Sequence, residues 1–494
     1  MLRKNPCCTI YLFAMARAQV KTKTQRRTPR ALQKTPTGIP GFDQVTYGGL
    51  PKDRTTLIAG GAGSGKTMLA MEFIFRGITE FSEPGVCISF EESHQDLAEN
   101  FSSLGYDLPA MIRDRMLVID YVQVDRKQII ETGEFDLDPL FIRLDQAIKS
   151  IRAKRVVIDT LEVLFTGFQN QSVIRAELRR FFHWLKDRGI TSIVTGESGT
   201  DTLTRDGLEE YVADCVIALD HRVTEQVSTR RLRVVKYRGS PHGTNEYPFL
   251  LDASGITVVP ITAIGLNHKV SSERISSGVA GLDDMTKGQG FYRGSSILVS
   301  GTAGTGKSSF SAFFVDAACR RGERAVYIAF EEGREQIIRN MRSVGLDLQK
   351  WIDKGKLDIH AARPTSVGLE SHLARIYKIV NDIKPDVVVV DPISNLLAIG
   401  DMTSVKAMLT RLIDHFKSAS ITAMFTNLSS AGSSNDDTEV GVSSLMDTWI
   451  VLLDVARGDF RHRQLKLLKS RGMAHSNQTR PFTFTSEGII FSEL

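Results

Sequence analysis

The amino-acid sequence predicts an α/β protein of two tandem domains, each a mainly parallel sheet flanked by helices. Three observations carry that expectation. The chain is written twice, since TGIPGFDQVTYGGLPKDRTTLIAGGAGSGKT in the first half answers to SGVAGLDDMTKGQGFYRGSSILVSGTAGTGKS in the second, and self-similarity on this scale marks a repeated structural unit. Within each copy, β-branched runs such as TTLIAG, VCISF, RVVIDT and TSIVTG alternate with amphipathic segments such as MLAMEFIFRGITEF and DPLFIRLDQAIKSI, the pattern of parallel strands joined by covering helices. Finally, 494 residues that are 42% hydrophobic and 24% charged can bury more than one core.

Residues 1–36 are expected to form a basic, disordered arm. Up to residue 42 the chain has no acid, and it carries Arg3, Lys4, Arg17, Lys21, Lys23, Arg26, Arg27, Arg30 and Lys34. The opening RKNPCCTIYLFAMARA imitates an export signal, with Met15 as an alternative start, but cytoplasmic placement is the expectation because the chemistry below needs cytosolic nucleotide. The net charge is +5; without the arm the remainder is slightly acidic, so the folded body is no obvious polyanion binder. Cys7, Cys8, Cys87, Cys215 and Cys319 have no metal-binding spacing and read as reduced thiols. No apolar run approaches membrane-span length.

The first copy is expected over residues 37–260, a linker over 261–274 and the second copy over 275–494. Lys307 follows Lys66 by 241 residues, Glu331 follows Glu91 by 240, Asp391 follows Asp159 by 232 and Arg471 follows Arg238 by 233. Such steady offsets mean tandem duplication.

GGAGSGKT (Gly60 to Thr67) and GTAGTGKS (Gly301 to Ser308) each fit G-x-x-x-x-G-K-[ST] between a strand and a helix. Glycines there let backbone N–H groups converge on phosphate oxygens, Lys66 and Lys307 bridge the terminal phosphates, and the Thr67 and Ser308 hydroxyls ligate Mg. FEE follows each cradle, with Glu91 and Glu92, then Glu331 and Glu332. An acid at a strand end beside a γ-phosphate can orient and deprotonate the attacking oxygen of water or a hydroxyl. Asp159 and Asp391 end apolar strands and suit metal-bound water. Lys236 and Arg238, then Lys469 and Arg471, form K-x-R-G pairs late in each copy. If copies pack head to tail in a ring, these pairs can act on a neighbour's γ-phosphate. TEVGVSSLMDTWIVLLD, residues 438–454, carries adjacent hydroxyls at Ser443 and Ser444. With Asp447 three residues after Ser444 they read as a helix cap, or as acceptors of a phosphoryl group.

Two P-loop copies, each with FEE, a strand-end Asp and K-x-R-G-x-x-H, resemble the KaiC family, double-domain RecA-like ATPases and autokinases of the bacterial circadian clock. The resemblance runs from about Thr37 to Leu494 and includes TGIPGFD, GEFDL and EYPF. It implies a homohexamer with ATP and Mg at subunit interfaces, slow hydrolysis by the first copy, and Ser/Thr autophosphorylation by the second on Ser443 and Ser444, with Thr438 as a third hydroxyl. It also implies a nucleotide-binding set. In the first copy this comprises Gly60, Gly63, Ser64, Gly65, Lys66, Thr67, Met68, Ser103, Asp159, Lys236, Tyr237, Arg238, Ser240 and His242. In the second it comprises Gly301, Ala303, Gly304, Thr305, Gly306, Lys307, Ser308, Asp391, Arg463, Lys469, Ser470, Arg471, Met473 and His475, with Glu331 beside Thr67 and Ser308 as a metal contact. The acceptor pair is Ser-Ser where the family has Ser-Thr. The sequence ends at GIIFSEL, short of the family's C-terminal tail, so a KaiA-like partner is not expected, whereas the resemblance leaves a KaiB-like partner on the first domain open.

Two rival readings remain. A RecA- or RadA-like DNA-dependent ATPase needs basic or aromatic pore loops, whereas GESGTDTLTRDGLEEY and NLSSAGSSNDDTEVG are polar to acidic, so nucleic acid is not an expected partner. A nucleotide-gated scaffold without kinase activity is disfavoured by the full set of cradle and FEE residues in the second copy. Aligning Asp447 with Asp214 sets Ser443 and Ser444 against Glu210 and Tyr211, next to Glu209, which leads to the expectation that the first copy carries a fixed charge where the second can switch.

Overall fold

The computed structural model describes residues 32–122, 137–165, 171–199, 203–204, 212–224, 227–260, 270–429, 441–457 and 460–492. Most of the expected arm and of the linker lie outside these residues, as do Thr438 and Glu209 to Tyr211.

The first copy contains β1 (Lys34–Thr35), β2 (Leu50–Pro51), β3 (Thr55–Gly60), β4 (Gly85–Ser89), β5 (Leu117–Tyr121), β6 (Arg155–Asp159), β7 (Thr191–Glu197), β8 (Cys215–Thr224), β9 (Val227–Tyr237), β10 (Glu246–Asp252) and β11 (Gly255–Val258). The second contains β12 (Arg274–Ile275), β13 (Phe291–Tyr292), β14 (Ser296–Gly301), β15 (Ala325–Ala329), β16 (Leu357–Ala361), β17 (Val387–Asp391), β18 (Thr422–Leu428), β19 (Thr448–Arg457), β20 (Phe460–Ser470), β21 (Arg480–Thr485) and β22 (Gly488–Phe491). Each copy builds a nine-stranded sheet, in the orders β11-β10-β9-β8-β3-β7-β6-β4-β5 and β16-β15-β17-β18-β14-β19-β20-β21-β22. The run from β5 to β8 is parallel, and β9, β10 and β11 extend it antiparallel. The second sheet repeats this arrangement.

The central strands are apolar throughout because both sheet faces are covered. Along β3, Leu57 enters one core layer and Ile58 the other; along β6, Val156 and Ile158 face one layer and Val157 the opposite one. This is the period-2 alternation of a strand sandwiched between helices. The helix Lys66–Phe81 buries Leu69, Met71, Phe73 and Ile74 on its sheet, and the helix Lys307–Arg320 does the same with Phe310, Phe314 and Val315.

The folded body begins before the expected boundary at residue 37. Lys34 and Thr35 pair with Pro51 and Leu50, and the Lys34 ammonium lies 4.6 Å from the Tyr237 ring centroid. A residue assigned to the basic arm by charge alone is held there by an aromatic face.

The two copies meet along the helix Leu369–Ile383. Val259 of the first copy joins the core layer of that helix. Arg231 pairs with Glu370 at 2.6 Å and Asp252 with Lys378 at 2.6 Å.

Candidate functional site

Both cradles lie at the carboxyl end of a central strand, where an open α/β sheet places its ligands. Gly60 ends β3, Gly301 ends β14, and each loop runs directly into a helix. Gly65 and Gly306, at φ 99° and 101°, stand immediately before those helices in the left-handed region, which glycine alone adopts freely. The Lys66 ammonium donates to the carbonyl oxygens of Gly60 at 2.8 Å and Gly61 at 3.1 Å. Lys307 donates to Gly301 at 2.8 Å and Thr302 at 2.9 Å. Burial lowers the Lys307 pKa, while the charges of Asp391 and Glu331 oppose the shift.

Strand order brings the remaining groups alongside. β7 lies between β3 and β6, and β4 lies beyond β6, so the strand ends present cradle, Thr195, Asp159 and the first acid pair in sequence. Asp159 and Asp391 are buried. The Thr195 hydroxyl donates to Asp159, and the Thr426 hydroxyl, from the equivalent strand β18, donates to Asp391. Burial pushes the Asp159 pKa up, against hydrogen bonds from Thr195 and Thr67 and the charge of Lys66. Each aspartate is followed by a cis peptide bond. On the second sheet Tyr327 also donates its phenolic hydrogen to Asp391.

The acid pairs divide in the same way in both copies. Glu92 accepts from the Asn100 amide at 3.1 Å, and Glu332 accepts from Asn340 at 3.2 and 3.3 Å. Glu91 and Glu331 are exposed, whereas Glu92 and Glu332 are half-buried. Glu91 accepts from Thr160 at 3.2 Å. Ser103 sits behind this arrangement, donating to the Asn100 carbonyl at 2.8 Å.

The K-x-R-G segments lie at the other end of the sheet. Tyr237 pairs with Cys215, which pairs with Thr56 near the start of β3; Ser470 pairs with Thr448, which pairs with Ile297 near the start of β14. From Ile297 to the cradle at Gly301, strand rise alone puts roughly 13 Å between the two ends. Lys236, Tyr237, Arg238, Ser240 and His242, and likewise Lys469, Ser470, Arg471, Met473 and His475, are therefore not brought to their own chain's cradle. Tyr237 is buried, donating to the Gly49 carbonyl at 3.0 Å, and Met473 lies in the core. Arg463 does reach its own loop, donating to the Gly304 carbonyl at 3.2 Å.

Ser443 and Ser444 lie at this same amino end. The capping expectation fails: residues 443–445 form a turn, and β19 rather than a helix follows. Val442 and Met446 are fully buried on either side, which leaves Ser443 half-buried and Ser444 exposed. The turn is fastened by Lys469, which donates to the Ser443 carbonyl at 2.9 Å, and by Arg471, which donates to the Ser444 carbonyl at 2.7 Å. Asp447 is held by Lys417 at 2.8 Å and by the Ser296 amide at 2.9 Å.

With this geometry in place, comparison with known proteins is decisive. A family model described as the KaiC ATPase matches residues 35–263 and again 275–494. The chain belongs to the KaiC family. It is 53% identical over 465 residues to circadian clock protein KaiC2 of Synechocystis sp., covering 94% of this chain and 82% of that relative. It is 36% identical over 477 residues to circadian clock oscillator protein KaiC of Synechococcus elongatus, covering 96% and 92%. With KaiC of Thermosynechococcus vestitus it shares 37% identity over 460 residues, covering 92% and 88%.

As a KaiC-family ATPase the chain binds ATP. The Thr67 and Ser308 hydroxyls beside buried Asp159 and Asp391 are hard oxygen donors, a set that suits Mg completed by phosphate oxygens and water. Among the described residues no three His, Cys, Asp or Glu side chains gather as a metal cage, and no described helix is long and apolar enough to cross a membrane. Sequence reasoning missed Thr195, Thr426, Tyr327 and Arg230. Arg230 donates to the Gly63 carbonyl at 3.5 Å, the first-copy counterpart of Arg463. The 233-residue offset applied to Arg463 would have found it.

Proposed function

We propose that this KaiC-family ATPase is also a Ser/Thr autokinase, in which the second copy transfers the γ-phosphoryl group of ATP to Ser443 or Ser444 of a neighbouring chain in a homohexameric ring. The observation that carries the reading is the placement of the turn. Ser443 and Ser444 stand at the amino end of β19, the opposite end of the sheet from the cradle that follows β14, which favours transfer between chains over transfer within one.

In this reading the backbone N–H groups of Gly304 to Ser308 and Lys307 hold the phosphates, while Ser308 and Asp391 would hold Mg, which when bound would supply charge neutralisation for the transferring group. Glu331, exposed and near enough for its charge to act on Lys307, takes the proton of the attacking serine. The Ser Oγ–Pγ bond forms as the bond from Pγ to the β,γ-bridging oxygen of ATP breaks, and ADP leaves with that oxygen. Glu332 is held by Asn340 and positions its neighbour. Lys469 and Arg471 sit beside the acceptor turn and meet the same γ-phosphate from the acceptor's side. In the first copy Glu91 plays the base toward water, giving hydrolysis alone. Cytoplasmic placement and a KaiB-like partner on the first domain rest on the family resemblance.

The test mixes two full-length variants, one with Ser443→Ala and Ser444→Ala and one with Lys307→Ala, in the presence of γ-labelled ATP and Mg. Neither alone should label in residues 441–449, and the mixture should. Label on the Lys307→Ala chain supports transfer between chains. Hydrolysis without label in wild-type chains would sink the kinase reading.

A further inference from the structure

The two catalytic centres differ at one buried position that the repeat places in register. Tyr327 is the third residue of β15 and pairs with Val389 of β17. Cys87 is the third residue of β4 and pairs with Val157 of β6. Both side chains are buried. In the first centre Thr195 donates to the Asp159 carboxylate, the Thr67 hydroxyl lies near enough to oppose the rise in its pKa, and Cys87 occupies the matching strand position. In the second, the phenol reaches further. Its O–H donates to Asp391 Oδ2 while Thr426 donates to Oδ1, and the phenolic oxygen also interacts with the Ser308 hydroxyl.

We infer that Tyr327 is a positioning residue of the second centre, whose phenolic hydroxyl fixes the Asp391 carboxylate beside Ser308 and so presets the site for a divalent cation. The inference rests on the reading of these two residues as the metal-orienting pair of the second cradle. With a donor on each oxygen the carboxylate is held against rotation. The first centre, with a thiol in place of the phenol, has one such donor, Thr195 from its neighbouring strand. The two centres therefore fix their aspartates through different hydrogen-bond donors, and changes to groups of this kind typically alter metal affinity by about 10–100-fold.

Manganese serves as the probe. Full-length protein with a non-hydrolysable ATP analogue is titrated with Mn2+ and free ion is followed by electron paramagnetic resonance, for wild type, for Tyr327→Phe, and for chains carrying 3-fluorotyrosine at position 327. Wild type should bind an ion at each cradle. Tyr327→Phe should weaken one of the two sites by about tenfold or more and leave the other unchanged; fluorotyrosine, which keeps the hydroxyl, should restore wild-type binding. Equal binding by wild type and Tyr327→Phe would overturn the inference while leaving the proposed function standing. So would identical defects in the Phe and fluorotyrosine chains, because the hydroxyl would then not be the agent. Wild-type chains that bind no Mn2+ with nucleotide would overturn both.

Discussion

The Lys469 ammonium lies 2.9 Å from the Ser443 carbonyl oxygen, and Arg471 reaches that of Ser444 at 2.7 Å. The cations expected to act on a neighbour's γ-phosphate thus anchor the backbone that bears both candidate acceptors. Hydrogen bonds from charged donors contribute about 1.5–3 kcal/mol. The Arg471 side chain is 54% exposed, so its share falls to about 1 kcal/mol after screening. Arg471→Ala should quicken amide exchange at Leu445 and Met446 about fivefold without changing exchange in β14, measured by hydrogen exchange and mass spectrometry. Unchanged exchange would mean that Val442 and Met446 hold the turn alone.

Thr195 and Thr426 each donate to a buried carboxylate. Leaving a buried acceptor short of a partner costs about 1–3 kcal/mol, which corresponds to roughly 10–100-fold in rate if the carboxylate must be held for the transition state. Thr195→Val should slow ATP hydrolysis by the first copy on that scale. Thr426→Val should slow acceptor labelling instead, and serine at either position should largely restore the rate. Single-turnover assays separate the two. Loss of nucleotide binding with turnover unchanged would contradict the assignment.

The first step of the site was legible because it is written in residues that do little else. A glycine-rich turn ending in Lys and Thr or Ser between strand and helix has one physical use, and its repetition carried the acid pairs and strand-end aspartates with it. Thr195 and Thr426 were not legible, since a threonine inside TSIVTG or TAMFTN is an ordinary strand residue until strand order places it between cradle and aspartate. The same holds for Ser443 and Ser444. Their spacing to Asp447 resembles a cap, and only the register of β19 on β14 shows which end of the sheet they occupy.

Gly65 and Gly306 share a left-handed φ but not their surroundings. A Cβ on Gly306 would lie 2.2 Å from the Phe484 ring, whereas on Gly65 the nearest atom, of Phe249, is 3.8 Å away. Gly65→Ala therefore bears backbone strain alone, about 1–2 kcal/mol. Gly306→Ala must also displace a ring that packs edge-on against Phe482. Binding of a fluorescent ATP analogue to variants with one intact cradle should fall more for Gly306→Ala than for Gly65→Ala. Equal losses would show that the ring moves freely.

His415 gives the second copy an acid-sensitive core. It is 7% exposed in the helix Met402–Ser418, its ring centroid is 4.6 Å from that of Tyr377, and its Nε2 is buried without a hydrogen-bond partner. Burial lowers its pKa from 6.5 to about 4. The unfolded chain therefore binds the proton first, and between those two values it holds more protons than the folded one. Stability from this residue is complete above pH 6.5 and is lost as the pH falls through about 4, an effect on the order of 3 kcal/mol. His415→Phe should flatten that slope whatever it does to stability at neutral pH. Urea unfolding followed by tryptophan fluorescence in a Trp184→Phe background leaves Trp351 and Trp449, both in the second copy, as reporters. Parallel pH profiles with and without His415 would place the acid sensitivity elsewhere.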